Sequence, residues 1–173
     1  MGSFTEVTLA FTFSPETPAE VLGAFVDWRT GEEAPALPSL ADSLGADAFD
    51  ADMYLGNYFG DDPMASLSLL QRAAIWQYLM GWSDNAYFPG TPASALRWDR
   101  YGERWTLTTR TFPKEAGQSV QSMIAPLGEW ATEGTRERPW FVGYLLDEYS
   151  PRPVLIWSVG GEPFQFEGQF EEM

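Results

Sequence analysis

The residues best suited to chemistry cluster between positions 47 and 62, in the run DAFDADMYLGNYFGDD. Asp47, Asp50, Asp52, Asp61 and Asp62 supply carboxylates, Phe49, Tyr54, Tyr58 and Phe59 supply rings, and no base interrupts them. Closely spaced carboxylates hold hard cations, so a calcium cradle is the first chemistry to weigh. An EF-hand loop needs acids at alternate positions, a glycine at the sixth and a bidentate glutamate at the twelfth. From Asp50 the chain reads D-A-D-M-Y-L, which lacks both the third acid and the glycine, and Asp47 as a start does no better. Asp50-Ala51-Asp52 is also a D-x-D pair of the sort that sugar-nucleotide transferases place on a metal. A short motif counts only in its structural context, and those enzymes rest on larger α/β domains. Neither a metal site nor a cofactor is expected.

Other catalytic constellations are limited by what is missing. The chain has no His and no Cys, which removes Ser-His-Asp, Cys-His, thiolate-zinc and two-His-one-carboxylate chemistry. No phosphate-binding loop is present, and Gly160-Gly161 sits between apparent strands instead of opening a helix. Asp147 and Glu148 close an apolar strand near Tyr144 and Tyr149, a setting reminiscent of paired acids in sugar cleavage. Adjacent strand residues point to opposite faces, so these two cannot be the working pair. They read as a strand end entering solvent, and the chain reads as non-catalytic.

Binding is then the better use for the acidic run. The formal charge is −15, and residues 30–71 hold eight acids and no base. Nucleic acid and anionic membranes reward Lys and Arg, so both are disfavoured as partners and a basic protein is favoured. Asp47, Asp50, Asp52, Tyr54, Tyr58, Asp61 and Asp62 form the expected partner-binding set, with rings for contact area and acids to steer encounter. A second surface, the loop WSDNAYFPG, offers Trp82, Asp84, Asn85, Tyr87 and Phe88 as lining for a small-ligand pocket. Arg97, Arg100, Arg104, Arg110 and Lys114 make the segment from 97 to 114 basic, and they could pair with the acidic insertion within the chain.

These segments need elements to position them. Val7, Leu9, Phe11 and Phe13 alternate with polar or small residues, which predicts a strand with one buried face. Thr17-Pro18-Ala19-Glu20 predicts a capping box opening a helix to about Trp28. Asp62-Pro63 predicts the start of a second helix reaching about residue 80, with Met64, Leu67, Leu70, Ala74 and Tyr78 as its apolar stripe. Residues 95–99 and 103–112 predict a hairpin with Leu96 and Trp98 facing Trp105 and Leu107, and Arg97, Arg104 and Arg110 on the other side. A helical pattern over 120–131 is interrupted by Pro126, which lacks the donor for the preceding turn and should split it. Strands follow at 140–148 and 153–159, then a turn at Gly160-Gly161 before FQFE. Whether the acidic run itself is helix, strand or loop is left open, because Gly56 and Gly60 weaken every periodic reading.

With residues 30–92 set aside as a helix-containing acidic insertion, the order is strand, helix, strand, strand, helix, strand. That is the βαββαβ order of a ferredoxin-like α+β sheet with helices on one face, here extended by a C-terminal hairpin. One domain over residues 1–173 is expected. The N-terminus lacks the cationic and apolar regions of a leader, and no apolar run spans a membrane, so a cytoplasmic protein is the default. Its Ala-, Gly- and Asp-rich usage, with Lys114 the one lysine, points to a high-GC bacterial or phage genome. The expected function is a non-catalytic acidic binding protein: an inhibitor, immunity-like or anti-defence factor docking on a basic partner. A small-ligand or carbohydrate-processing protein, and a structural component of a phage or bacterial assembly, are the alternatives.

Overall fold

A computed structural model of the chain describes residues 4–26, 29–30, 34–46, 48–80 and 93–170. The chain begins with β1 (Thr5–Thr12) and α1 (Ala19–Gly23), then a two-residue strand, β2 (Arg29–Thr30). Three helices follow: α2 (Leu40–Leu44), α3 (Ala51–Gly56) and α4 (Leu69–Met80). The hairpin of β3 (Ala93–Asp99) and β4 (Arg104–Thr111) leads to α5 (Gly117–Ile124), then β5 (Trp140–Asp147), β6 (Val154–Ser158) and β7 (Gln165–Glu167). The protein is therefore mixed helix and strand.

One sheet runs in the order β2-β3-β4-β1-β5-β6-β7. The six longer strands pair antiparallel, and β2 adds a short parallel edge beside β3. β1 holds the centre, and its alternation becomes a two-faced strand: Thr5, Val7, Leu9 and Phe11 are buried, whereas Ala10 is exposed and Glu6, Thr8 and Thr12 are intermediate. The hairpin register is the one its residue pattern predicts, with Leu96 opposite Leu107 and Trp98 opposite Trp105. Trp98 and Trp105 stack at 5.2 Å on the buried side. The helical stretch after residue 116 does split at its proline, α5 giving way to a 3-10 segment over Ala125–Trp130.

Two expected helix starts differ. Pro18, not Thr17, occupies the cap position of α1, and the Thr17 hydroxyl donates back to the Ser14 carbonyl at 2.7 Å. The turn that begins at Ser14 has taken the group a capping box would need. Residues after Asp62 form turns, and α4 begins only at Leu69, behind a Ser68–Gln71 exchange in which Ser68 Oγ accepts the Gln71 N–H and Gln71 Oε1 accepts the Ser68 N–H. This reciprocal cap overrides the Asp-Pro signal, since it satisfies the orphan donors of the first turn.

The larger difference concerns α4. Ala73, Ala74, Ile75, Trp76, Leu79 and Met80 are buried, and they belong to the same apolar cluster as Val7, Leu9, Phe11, Leu107, Val120 and Ile124. Trp76 donates its indole N–H to the Met123 carbonyl at 2.9 Å. The segment read as an insertion thus supplies part of the core. Among the described residues no helix is long and apolar enough to cross a membrane.

Candidate functional site

The acidic run folds as a short helix and a tight loop. Ser39 caps α2, accepting the Asp42 N–H at 3.2 Å, and Asp50 caps α3, accepting the Met53 N–H at 3.0 Å. A short acceptor just before a helix satisfies one of its unpaired donors, which explains why an acid stands at 50. Asp62 does similar work beside Pro63, where its Oδ1 accepts the Met64 N–H at 3.0 Å. Tyr54 stacks between Phe49 and Tyr58, with ring centroids 5.3 and 5.5 Å apart. Its hydroxyl donates to the Pro63 carbonyl at 3.0 Å, and the Tyr58 hydroxyl donates to the Asp62 carbonyl. Both tyrosines are half-buried staples of the loop.

The charges nevertheless stay in water, because Asp50, Asp52, Asp61 and Asp62 are all exposed. So are two apolar side chains outside the expected partner-binding set: Phe59, 97% exposed, and Met53, 64% exposed. Phe59 lies between the stapled Tyr58 and Gly60, two residues before Asp61. Its place in a base-free run next to a glycine was the only hint in the sequence. Asp47, and all of Trp82, Asp84, Asn85, Tyr87 and Phe88, lie outside the described residues.

Next to this loop a groove of about 300 Å³ runs between α3 and α5, lined by Tyr58, Asp61, Glu115, Gln118, Ser119 and Ser122 among others. At its flank Tyr78 of α4 donates to Asp52 Oδ1 at 3.4 Å and also lies against Glu115. Burial, reinforced by the Glu115 and Asp52 charges, pushes the Tyr78 phenol up to about 12. Burial also raises Glu115, with the Asp52 charge adding to it and the Tyr78 hydrogen bond opposing it. Asp52 and Glu115 thus flank one phenol. No group of three or more His, Cys, Asp or Glu side chains is placed to hold a metal ion among the described residues.

Elsewhere the acids have structural partners. Asp147 accepts the Gly117 N–H at 3.0 Å and the Tyr149 N–H at 2.9 Å, tying the end of β5 to the start of α5. Arg110 turns to β1, not to the acidic segment, and bonds Glu6 Oε1 at 2.8 Å, where the Tyr144 hydroxyl also donates at 2.8 Å. Of the hairpin bases expected to face the insertion, Arg110 instead pairs with Glu6 on its own sheet face. Arg97 and Arg104 share that face, across β3 and β4 from Thr106 and Asp99.

Fold and surface together define an α+β protein with a largely antiparallel sheet and an exposed acidic loop. Compared with protein-family models, curated proteins and solved structures, the chain shows no significant match to any of them.

Proposed function

We propose that the chain is a non-catalytic acidic binding protein that docks on a basic protein partner, in the manner of an inhibitor, immunity-like or anti-defence factor. The observation that carries this reading is Phe59, almost wholly in water beside Asp61 and Asp62, on a loop stapled by Tyr54 and Tyr58. An aromatic anchor ringed by one sign of charge, on a preordered loop, suits a partner with an apolar pocket rimmed by Lys and Arg. Asp50, Asp52, Asp61 and Asp62 supply the steering field and Met53 adds contact area. Asp47 belongs to the same run. A cytoplasmic setting accompanies this proposal, and the net charge of −15 argues against nucleic-acid binding. The strand order β3-β4-β1-β5, with α1 and α5 as the crossing helices, supports a ferredoxin-like reading of the frame.

The test is capture of partners from native host extract on immobilised protein, compared with Phe59→Ala and with Asp52, Asp61 and Asp62 changed together to Asn. Specific captured proteins should be basic, elute with salt, and be lost on both variants. Capture indifferent to salt and to both variants would sink the proposal.

A second reading, a small cationic ligand, is favoured by the groove beside Glu115. Isothermal titration with short amines such as putrescine, against Glu115→Gln, separates the two.

A further inference from the structure

The face of the sheet that carries Ala10 is covered by no described residue. Its centre is made of small and hydroxyl side chains: Ala10 and Thr108 are exposed, and Thr8, Thr12 and Thr106 are partly so. On the β3–β4 side the surface dips into a depression of about 410 Å³, whose lining includes Thr8, Ala93, Ala95 and Thr108, with Arg97 and Arg110 at its rim. On the β5–β6 side it rises into a ridge. The register between β5 and β6 slips between Phe141 and Gly143, so Val142 is an extra residue. Val142 and Gly143 are both buried, and the bulge returns Phe141 to the open face beside Trp157, edge to ring at 5.6 Å. Tyr144 and Leu155 continue the ridge one row along.

Dish and ridge lie at equal distances on either side of β1, the fourth of seven strands. The geometry points to a second copy of this chain as the occupant of the open sheet face, stacked face to face about a two-fold axis running along β1. Such an axis lays β4 of one copy over β5 of the other, and β3 over β6, while keeping the row along the strands. The pairings give Thr8 opposite Arg110 and Tyr144, then Ala10 opposite Thr108. Thr108 is in turn opposite Ala95, and Phe141 is opposite Trp157. The Trp157 ring therefore comes down on Ala95 of the other copy, Phe141 on Thr108, and Ala10 on its own equivalent. Large meets small twice over, as an isologous interface requires.

The charges agree. Arg97, Arg104 and Arg110 on this face balance Glu6, Asp99 and Glu167, so it is locally neutral although the whole chain carries −15. Glu167 leans over the ridge, accepting the Trp157 indole N–H at 3.0 Å. In the row of Thr8 the same axis brings Arg110 of one copy over Tyr144 of the other, a guanidinium above a ring. The strands differ in length, from two residues in β2 to eight in β1, β4 and β5, and at about 4.8 by 3.3 Å per residue they make a face of roughly 650 Å², somewhat below the roughly 800 Å² per partner of a standard interface. The acidic loop stays clear of this contact, which makes the assembly bivalent for whatever that loop binds.

Sedimentation equilibrium on the intact protein is the test. A mass of twice 19.4 kDa is expected at about 100 µM, with a dissociation constant raised more than tenfold by Ala95→Arg and by Trp157→Ala. Both sites reach the surface, and circular dichroism checks that the variants stay folded. Phe59→Ala, on the acidic loop, should leave the dimer intact. A monomer at that concentration, or a dimer unmoved by Ala95→Arg and Trp157→Ala alike, overturns the inference. A dimer lost on Phe59→Ala would do so too.

Discussion

Trp76 and Met123 are joined by a buried hydrogen bond, indole N–H to main-chain carbonyl, that ties α4 to α5. One residue belongs to the segment that looks like an insertion and the other to the frame around it. Removing the indole should unfold the whole protein and not merely detach the acidic part. Trp76→Phe should cost about 1–3 kcal/mol, since it leaves a buried carbonyl without its donor. Trp76→Ala should cost about 3–5 kcal/mol by emptying the site as well. Urea melts followed by far-UV dichroism and by tryptophan fluorescence should coincide in each variant. Separate transitions would mean that α4 and the acidic loop fold apart from the sheet.

Gly143 is a second fixed point. A Cβ there would lie 1.8 Å from the Thr8 carbonyl oxygen on β1, the central strand. Only main-chain movement could relieve that contact, so Gly143→Ala should destabilise by about 3 kcal/mol or more. A chemical-denaturation midpoint close to that of the parent would show that the β5 bulge absorbs the added methyl.

Charge and capping can be separated at Asp50. Its carboxylate both caps α3 and adds to the acidic surface. Asp50→Ala should cost about 1 kcal/mol of stability, whereas Asp50→Asn keeps an acceptor at the cap and should cost only a few tenths. Thermal melts of the two variants decide this. Equal losses would mean that the carboxylate's charge, and not its acceptor geometry, holds the helix.

The pH response should contain two opposing parts. Burial works against ionisation of Glu6, but the Arg110 and Tyr144 hydrogen bonds and the Arg110 charge prevail and hold it below its ordinary range. Its folded pKa lies under its unfolded one, so its stabilisation is full above the unfolded value of about 4.3 and fades as pH falls through the folded value. Glu115 has the opposite sign. Its folded pKa is raised, first by burial and then by Asp52, so stability declines as pH rises from about 4.3 toward that raised value. Glu115→Gln should therefore be the more stable protein at pH 7, by a margin that shrinks toward pH 4. Melting temperatures across that range check the sign. A loss of stability at pH 7 would show that the Glu115 charge is already compensated.

Local pattern carried much of the frame. Alternation at Val7, Leu9 and Phe11, the opposition of Trp98 and Trp105, and the break at Pro126 all follow from side-chain period and backbone donors, which act over a few residues. The acidic surface was legible in the same way, since a base-free run remains base-free however it folds. What each member of that run does was not legible. Asp50 and Asp62 cap backbone, and Tyr54 and Tyr58 staple a loop, because their partners sit two to nine residues away in geometries that composition does not encode. Phe59 was passed over, for a ring left in water looks in sequence like a ring bound for the core. How far α4 enters the shared core was not legible for a related reason: Trp76 meets Met123, 47 residues onward.

Sequence by itself, then, determined the charge, the absence of imidazole and thiol chemistry, and most strand periods, because these depend on residue type and near neighbours. Only the tertiary structure decided that β1 is the central strand, that α4 belongs to the core, and that a dish and a ridge flank the central strand. Those are relations between distant segments, set by which apolar faces can be buried together and by where one extra residue, Val142, shifts a register.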